Sequence, residues 1–219
     1  MRKKRMLINW FCLLGVFQLL FYLLHDVIGA LNYPGYNWLN QAVSDLTSAD
    51  APSRFIAGSL SNIYALFSVL SMSMLSIIIQ ENKVRAIRIG IHLFTLMIWI
   101  SAIGYTLFPL SKSGYAGTFQ DIMHLYVITI LVVLLSIISL VFIIVGGFKS
   151  QGKDKYLAIT ACLALIMMFV GAIGSGVLAG KKGFGILERF STYSAVVFGS
   201  ILSIYGFNVS VGKKDLVKP

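Results

Sequence analysis

The sequence predicts an all-α, polytopic membrane protein: a bundle of six transmembrane helices with both termini cytoplasmic and a short amphipathic interfacial segment in the first outer loop. Three observations carry this. Hydrophobic residues make up 58% of the chain and charged residues only 12%, with a mean hydropathy of +0.85, more apolar surface than a water-soluble fold of this size hides. The apolar residues fall in long uncharged runs, each able to cross about 30 Å of hydrocarbon at about 1.5 Å per residue. Basic residues collect between alternate runs, as orientation in a membrane requires.

The first run, Leu7–Gly29, follows "MRKKR". It is too long for the apolar part of a signal peptide, and no small-residue cleavage site precedes the next polar segment, so it reads as a retained helix. Next comes "YPGYNWLNQAVSDL", residues 33–46. "YPG" is a turn. Beyond it, at about 100° per residue, Trp38, Leu39, Ala42, Val43 and Leu46 share one arc and Asn40, Gln41, Ser44 and Asp45 the opposite one. The segment is expected to lie flat at the interface or to dip into the bundle, with Tyr33, Tyr36 and Trp38 at headgroup depth. Its polar arc either meets water or closes over a site with Ser44 and Asp45 turned inward, and composition leaves both open.

The later runs are Phe55–Ile79, Ile87–Phe108, Ile122–Val145, Tyr156–Leu178 and Phe184–Val209. The connecting cytoplasmic segments are too short to fold by themselves, so residues 1–219 read as a single integral membrane domain. Asn62 is expected to hydrogen-bond between helices. The small residues Gly171, Ser175, Gly176 and Gly180 of "GAIGSGVLAG" permit close helix approach. His92, one turn after Arg88, reads as a satisfied interfacial histidine. Cys12 and Cys162 both fall inside apolar runs and read as small buried side chains rather than a disulfide or metal motif.

With the N-terminus inside, six spans return the C-terminus to the same side. Arg2, Lys3, Lys4, Arg5, Lys83, Arg85, Arg88, Lys149, Lys153, Lys155, Lys213, Lys214 and Lys218 are then cytoplasmic, leaving Arg54, Lys112, Lys181, Lys182 and Arg189 outside. This distribution explains the net charge of +10 without nucleic acid, for which no soluble basic surface exists. Of the acidic residues, Asp26, Asp45, Asp50, Asp121 and Glu188 fall outside, as do His25 and His124. The polar chemistry gathers on one face of the membrane.

Ionisable groups at the edge of hydrocarbon face the bundle interior and find partners. Asp121 and His124, three apart, share a helix face. One reading makes His25, Asp121 and His124 ligands of a zinc ion whose bound water hydrolyses an ester or amide of a lipid headgroup, with Asp45 or Glu188 as general base. Another makes the same groups, with Arg189, an ion-paired network that binds a lipid headgroup or small solute, or locks the helices together. A haem held by His25 and His124 is a third. A transporter is disfavoured, because beyond Asn62 and scattered serines no polar residues continue through the midplane. No phosphate loop, nucleophile elbow or zinc-protease motif occurs.

"YPGYNWLNQAVSDL", above all Ser44-Asp45-Leu46 after an aromatic-proline turn, joins "LFP" at Leu107–Pro109, the histidine of "DIMHL" and "GILERF". Together these resemble the prokaryotic membrane family known as domain of unknown function 998, and the likeness spans nearly the whole chain. The resemblance implies six membrane helices with polar motifs on the outer side and no settled activity. It directs attention to Ser44, Asp45, Pro109, His124, Glu188 and Arg189. The expectation is a multi-pass cell-membrane protein whose partners are membrane lipids or a small solute. Its outer pocket is expected to be capped by Tyr33–Leu46 and lined by Ser44, Asp45, Asp121, His124, Glu188 and Arg189.

Overall fold

The structure is a computed structural model that describes residues 6–209. The terminal basic clusters Arg2–Arg5 and Lys213–Lys218 lie outside the described residues. Among these, the regular elements are all helical, and six helices are long and apolar enough to cross a membrane. They are α1 (Leu7–Leu31), α2 (Arg54–Glu81), α3 (Arg85–Leu107), α4 (Phe119–Phe148), α5 (Lys153–Val177) and α6 (Phe184–Asn208). The chain is a multi-pass membrane protein. Each helix packs on the next and α6 closes the ring against α1.

The bundle has two polar ends around an apolar middle. Phe94 of α3 and Phe198 of α6 meet edge to face there, with ring centroids 5.6 Å apart, among fully buried Met72, Leu75, Ile91 and Leu140. Outward residues such as Leu163, Ile166 and Ile173 are exposed, a lipid-facing surface. The apolar window of α6 is 56% buried, against 28–39% for the other helices. That inner position explains why α6 carries polar residues.

Breaks in helical bonding are met by side chains. At Leu13 the Val16 N–H bonds to the Leu13 carbonyl at 2.9 Å, so the freed Cys12 carbonyl accepts from Ser71 Oγ at 2.6 Å. Residues 123–128 of α4 form a π turn, and Thr129 Oγ1 donates to the His124 carbonyl at 2.8 Å. At the end nearer the termini, Asn82 Nδ2 donates to the Tyr205 hydroxyl, which donates to Asp154 Oδ1 at 2.7 Å. The opposite, loop end collects segments 32–53, 108–118 and 178–183.

Segment 38–46 departs from its helical period. It folds as turns leading into a 3-10 helix over Val43–Thr47. Ala42, Val43 and Leu46 are buried while Trp38 and Leu39 stay exposed, so the segment is amphipathic without being an α-helix. The reason is that the Trp38 and Gln41 carbonyls accept from Arg189 at 2.8 and 3.0 Å rather than from amides one turn on. Two expectations within the spans are also corrected. Asn62 is exposed and makes no hydrogen bond between helices among the described residues. Of the small residues in "GAIGSGVLAG", Gly171 of α5 lies against the Leu187–Ser191 backbone of α6, whereas Gly176 and, in the following loop, Gly180 face open space.

Candidate functional site

The loop end is organised by Arg189, on the second turn of α6. Its Nε and Nη2 donate to Asp26 Oδ2 and Oδ1 at 2.9 and 2.7 Å, a bidentate pair buried between the first and last helices. Nη2 also donates to the Tyr36 hydroxyl at 2.8 Å. Nη1 donates to the carbonyls of Trp38, Gln41 and Gly185. Every N–H of the guanidinium is therefore engaged. Tyr193 donates its hydroxyl to Asp26 Oδ2 at 3.0 Å, and Tyr36 donates on to the Ala42 carbonyl at 2.7 Å. Gly185 makes this closeness possible, because a Cβ there would run into the carbonyl oxygens of Gln41 and Trp38.

Asp45 fastens this loop to the next. Its Oδ2 accepts from its own turn at Ala42 N–H, and Oδ1 accepts from Gly114 N–H at 2.9 Å. Burial raises the Asp45 carboxyl above its usual range, opposed by the N–H groups of Gly114 and Ala42. Close by, Ala49 N–H donates to the Leu110 carbonyl at 2.8 Å. Ser44 is half-buried, and its carbonyl accepts from Thr47 Oγ1.

Asp121 is fully buried and serves the second loop. It accepts from Ser111 N–H and Oγ, Ala116 N–H and Thr118 N–H, while Thr118 Oγ1 caps the Asp121 amide. His124 Nδ1 lies 2.7 Å from the Phe108 carbonyl, and His25 Nδ1 lies 3.0 Å from the Ala57 carbonyl. A carbonyl only accepts, so each ring carries a proton on Nδ1. Pro109 stops α3 and turns the Phe108 carbonyl toward His124.

The expected metal set does not assemble. Among the described residues no three His, Cys, Asp or Glu side chains are grouped to hold an ion, so His25, Asp121 and His124 are not one ligand set. The reason is local: the oxygens of Asp121 are filled by its own loop, and each histidine reads a different helix end.

Glu188 stands apart from these filled groups. It is half-buried. Its Oε2 accepts from Val43 N–H at 3.2 Å and its Oε1 from Thr192 Oγ1 at 3.3 Å. The ion pair of the described residues is Arg189 with Asp26, so Glu188 has no basic partner among them. Beside the cluster, Trp38, Met167, Ile186, Phe190 and Tyr193 wall an apolar hollow of about 300 Å³ against Arg189.

Across residues 16–205 the chain matches the family model described as "Protein of unknown function (DUF998)". The chain belongs to that family. The DUF998 match takes in every member of the loop-end cluster, from Asp26 to Tyr193. Curated proteins and solved structures gave no match. Sequence reading of this DUF998 member brought Asp45, Asp121, His124, Glu188 and Arg189 to one end, where the structure has them. It missed Tyr193 and Gly185, which carry no charge to draw notice, and it placed Tyr36 and Asp26 at that end without assigning them to Arg189. It also missed Gln18, buried in the midplane with its Oε1 unpartnered among the described residues.

Proposed function

We propose that this protein binds a membrane lipid or small solute at its loop end, beneath the cap formed by residues 32–53, with Glu188 as the recognising group. In this reading the loop end faces the outside of the cell membrane and the termini lie in the cytoplasm, which the distribution of basic residues supports. One observation carries the proposal: Glu188 has no cation in contact and each of its oxygens accepts a single long hydrogen bond, at 3.2 and 3.3 Å, whereas Asp26 is ion-paired to Arg189 and Asp121 accepts from Ser111, Ala116 and Thr118 together. A carboxylate takes up to about four donors, and one near hydrocarbon without them is costly. The ligand that completes it presents an amine or hydroxyl. Arg189 is excluded as an anion receptor, since each of its donors is already used.

The test compares wild type with Glu188→Gln, purified in a mild detergent, by native mass spectrometry of co-purified small molecules. Glutamine keeps a carbonyl oxygen for the Val43 N–H, and its NH2 can donate to the Thr192 hydroxyl, which already donates to the residue 188 carbonyl, so the cap is retained. Loss of an amine- or hydroxyl-bearing ligand in the variant is the expected result. Identical small-molecule content in the two proteins would overturn the proposal.

A further inference from the structure

A second polar feature lies apart from this cluster, on the outer surface of α2. Where the 32–53 loop enters that helix, an open groove of about 600 Å³ runs between Thr47 and Pro52 on one side and Arg54, Gly58, Ser59 and Asn62 on the other. Arg54, Gly58 and Asn62 follow at intervals of four and share one helix face. Gly58 makes the floor, since a Cβ there would meet nothing within 4 Å. Arg54 is exposed, and among the described residues its polar contact is a 3.3 Å bond from Nη1 to the Ala49 carbonyl, with no carboxylate beside it. Asn62 is exposed with no hydrogen-bond partner among the described residues. Ser59 turns its hydroxyl back to the Phe55 carbonyl at 2.9 Å.

An amide facing hydrocarbon without a partner is unfavourable by several kcal/mol, so Asn62 calls for something in the groove. Helical side chains lean toward the helix N-terminus, which for α2 is the loop end, so the Asn62 amide reaches over Gly58 toward Arg54. The groove therefore presents a cation at its rim, an amide about two turns deeper and an open floor leading into the apolar zone. That order is phosphate, glycerol ester and acyl chain. A second copy of the chain fits less well. Pairing two such faces about an axis along the membrane normal would place Arg54 against Arg54 at equal depth.

We infer that this groove holds one anionic phospholipid, its phosphate on Arg54 and an ester carbonyl on the Asn62 amide. The anionic class follows from Arg54, which has no neutralising partner, whereas a zwitterionic headgroup brings its own cation to the same spot. The site is separate from Glu188 and stands whether or not that group binds a ligand.

The full chain, delipidated in detergent, is titrated with phosphatidylglycerol, phosphatidylcholine and glycerol phosphate and read by native mass spectrometry. One phosphatidylglycerol should bind about tenfold more tightly than phosphatidylcholine, and glycerol phosphate should not displace it. Arg54→Gln and Gly58→Leu should each weaken that adduct about tenfold. Gly58→Leu fills the floor and suits the helix, so it tests the groove even if the Arg54 variant folds poorly. Unchanged phosphatidylglycerol binding in Gly58→Leu overturns the inference. So does displacement by glycerol phosphate, or a dimer that Gly58→Leu dissolves.

Discussion

Arg189 and Asp26, 163 positions apart, form a two-point buried ion pair that joins the last helix of the bundle to the first. The same guanidinium holds the loop between the first two helices by its carbonyl oxygens. Helix closure and cap placement thus rest on one side chain.

Removing that side chain leaves Asp26 buried and unanswered. Arg189→Met should destabilise the protein by about 3–5 kcal/mol, the usual effect of breaking one half of a buried pair. Thermal unfolding in detergent measures it. The double variant with Asp26→Asn should be more stable than Arg189→Met alone; losses that simply add would show the two residues to be uncoupled.

Gly185→Ala tests the cap without touching a charge. The new methyl group would displace the Gln41 and Trp38 carbonyls, at about 1–3 kcal/mol. Trp38 fluorescence should shift as the loop lifts. An unshifted spectrum with unchanged stability would mean that the loop does not rest on α6 at this point.

Asp121→Asn replaces an oxygen that only accepts with an amide that donates, facing the N–H groups of Ser111, Ala116 and Thr118. A loss of about 1–3 kcal/mol is expected, together with faster proteolysis within 111–118. Equal cleavage rates in the two proteins would contradict the assigned role.

Asp45 gives stability a pH dependence with a defined sign. Its folded carboxyl lies above the model-peptide value of 3.8, so between those two values the folded state binds more protons than the unfolded one. Stability from this group is greatest toward the acid side and falls as pH rises through the folded value. In Asp45→Asn that component is absent. The stability of wild type relative to the variant should therefore rise as pH is lowered from 7 toward 4, and an opposite slope would refute the burial argument.

How far the sequence carried this picture depended on the kind of signal. Long apolar runs made the six helices legible, because length and composition alone define a membrane span. The apolar run that opens at Ile122 does not mark where α4 starts; "TFQD" holds a Thr118–Asp121 capping box that begins the helix at Phe119. The two amides within the spans were confused. Asn62 drew notice, yet Gln18 is the buried one, since a helix apolar on nearly every face gives no period from which to choose its inward side. The cap was misread for another reason. Its helical period is real, but Arg189, far along the chain, withdraws the carbonyls a helix would have used.

A carbonyl oxygen is the same in every residue type. Because Arg189 fastens residues 38–41 through the main chain of Trp38 and Gln41, its hold on them does not depend on which side chains those two positions display. Exposed positions such as Leu39 are free to be exchanged without the scaffold registering the change. The arrangement separates the shape of the protein's outermost surface from its chemical identity, so a new specificity could be written there one substitution at a time.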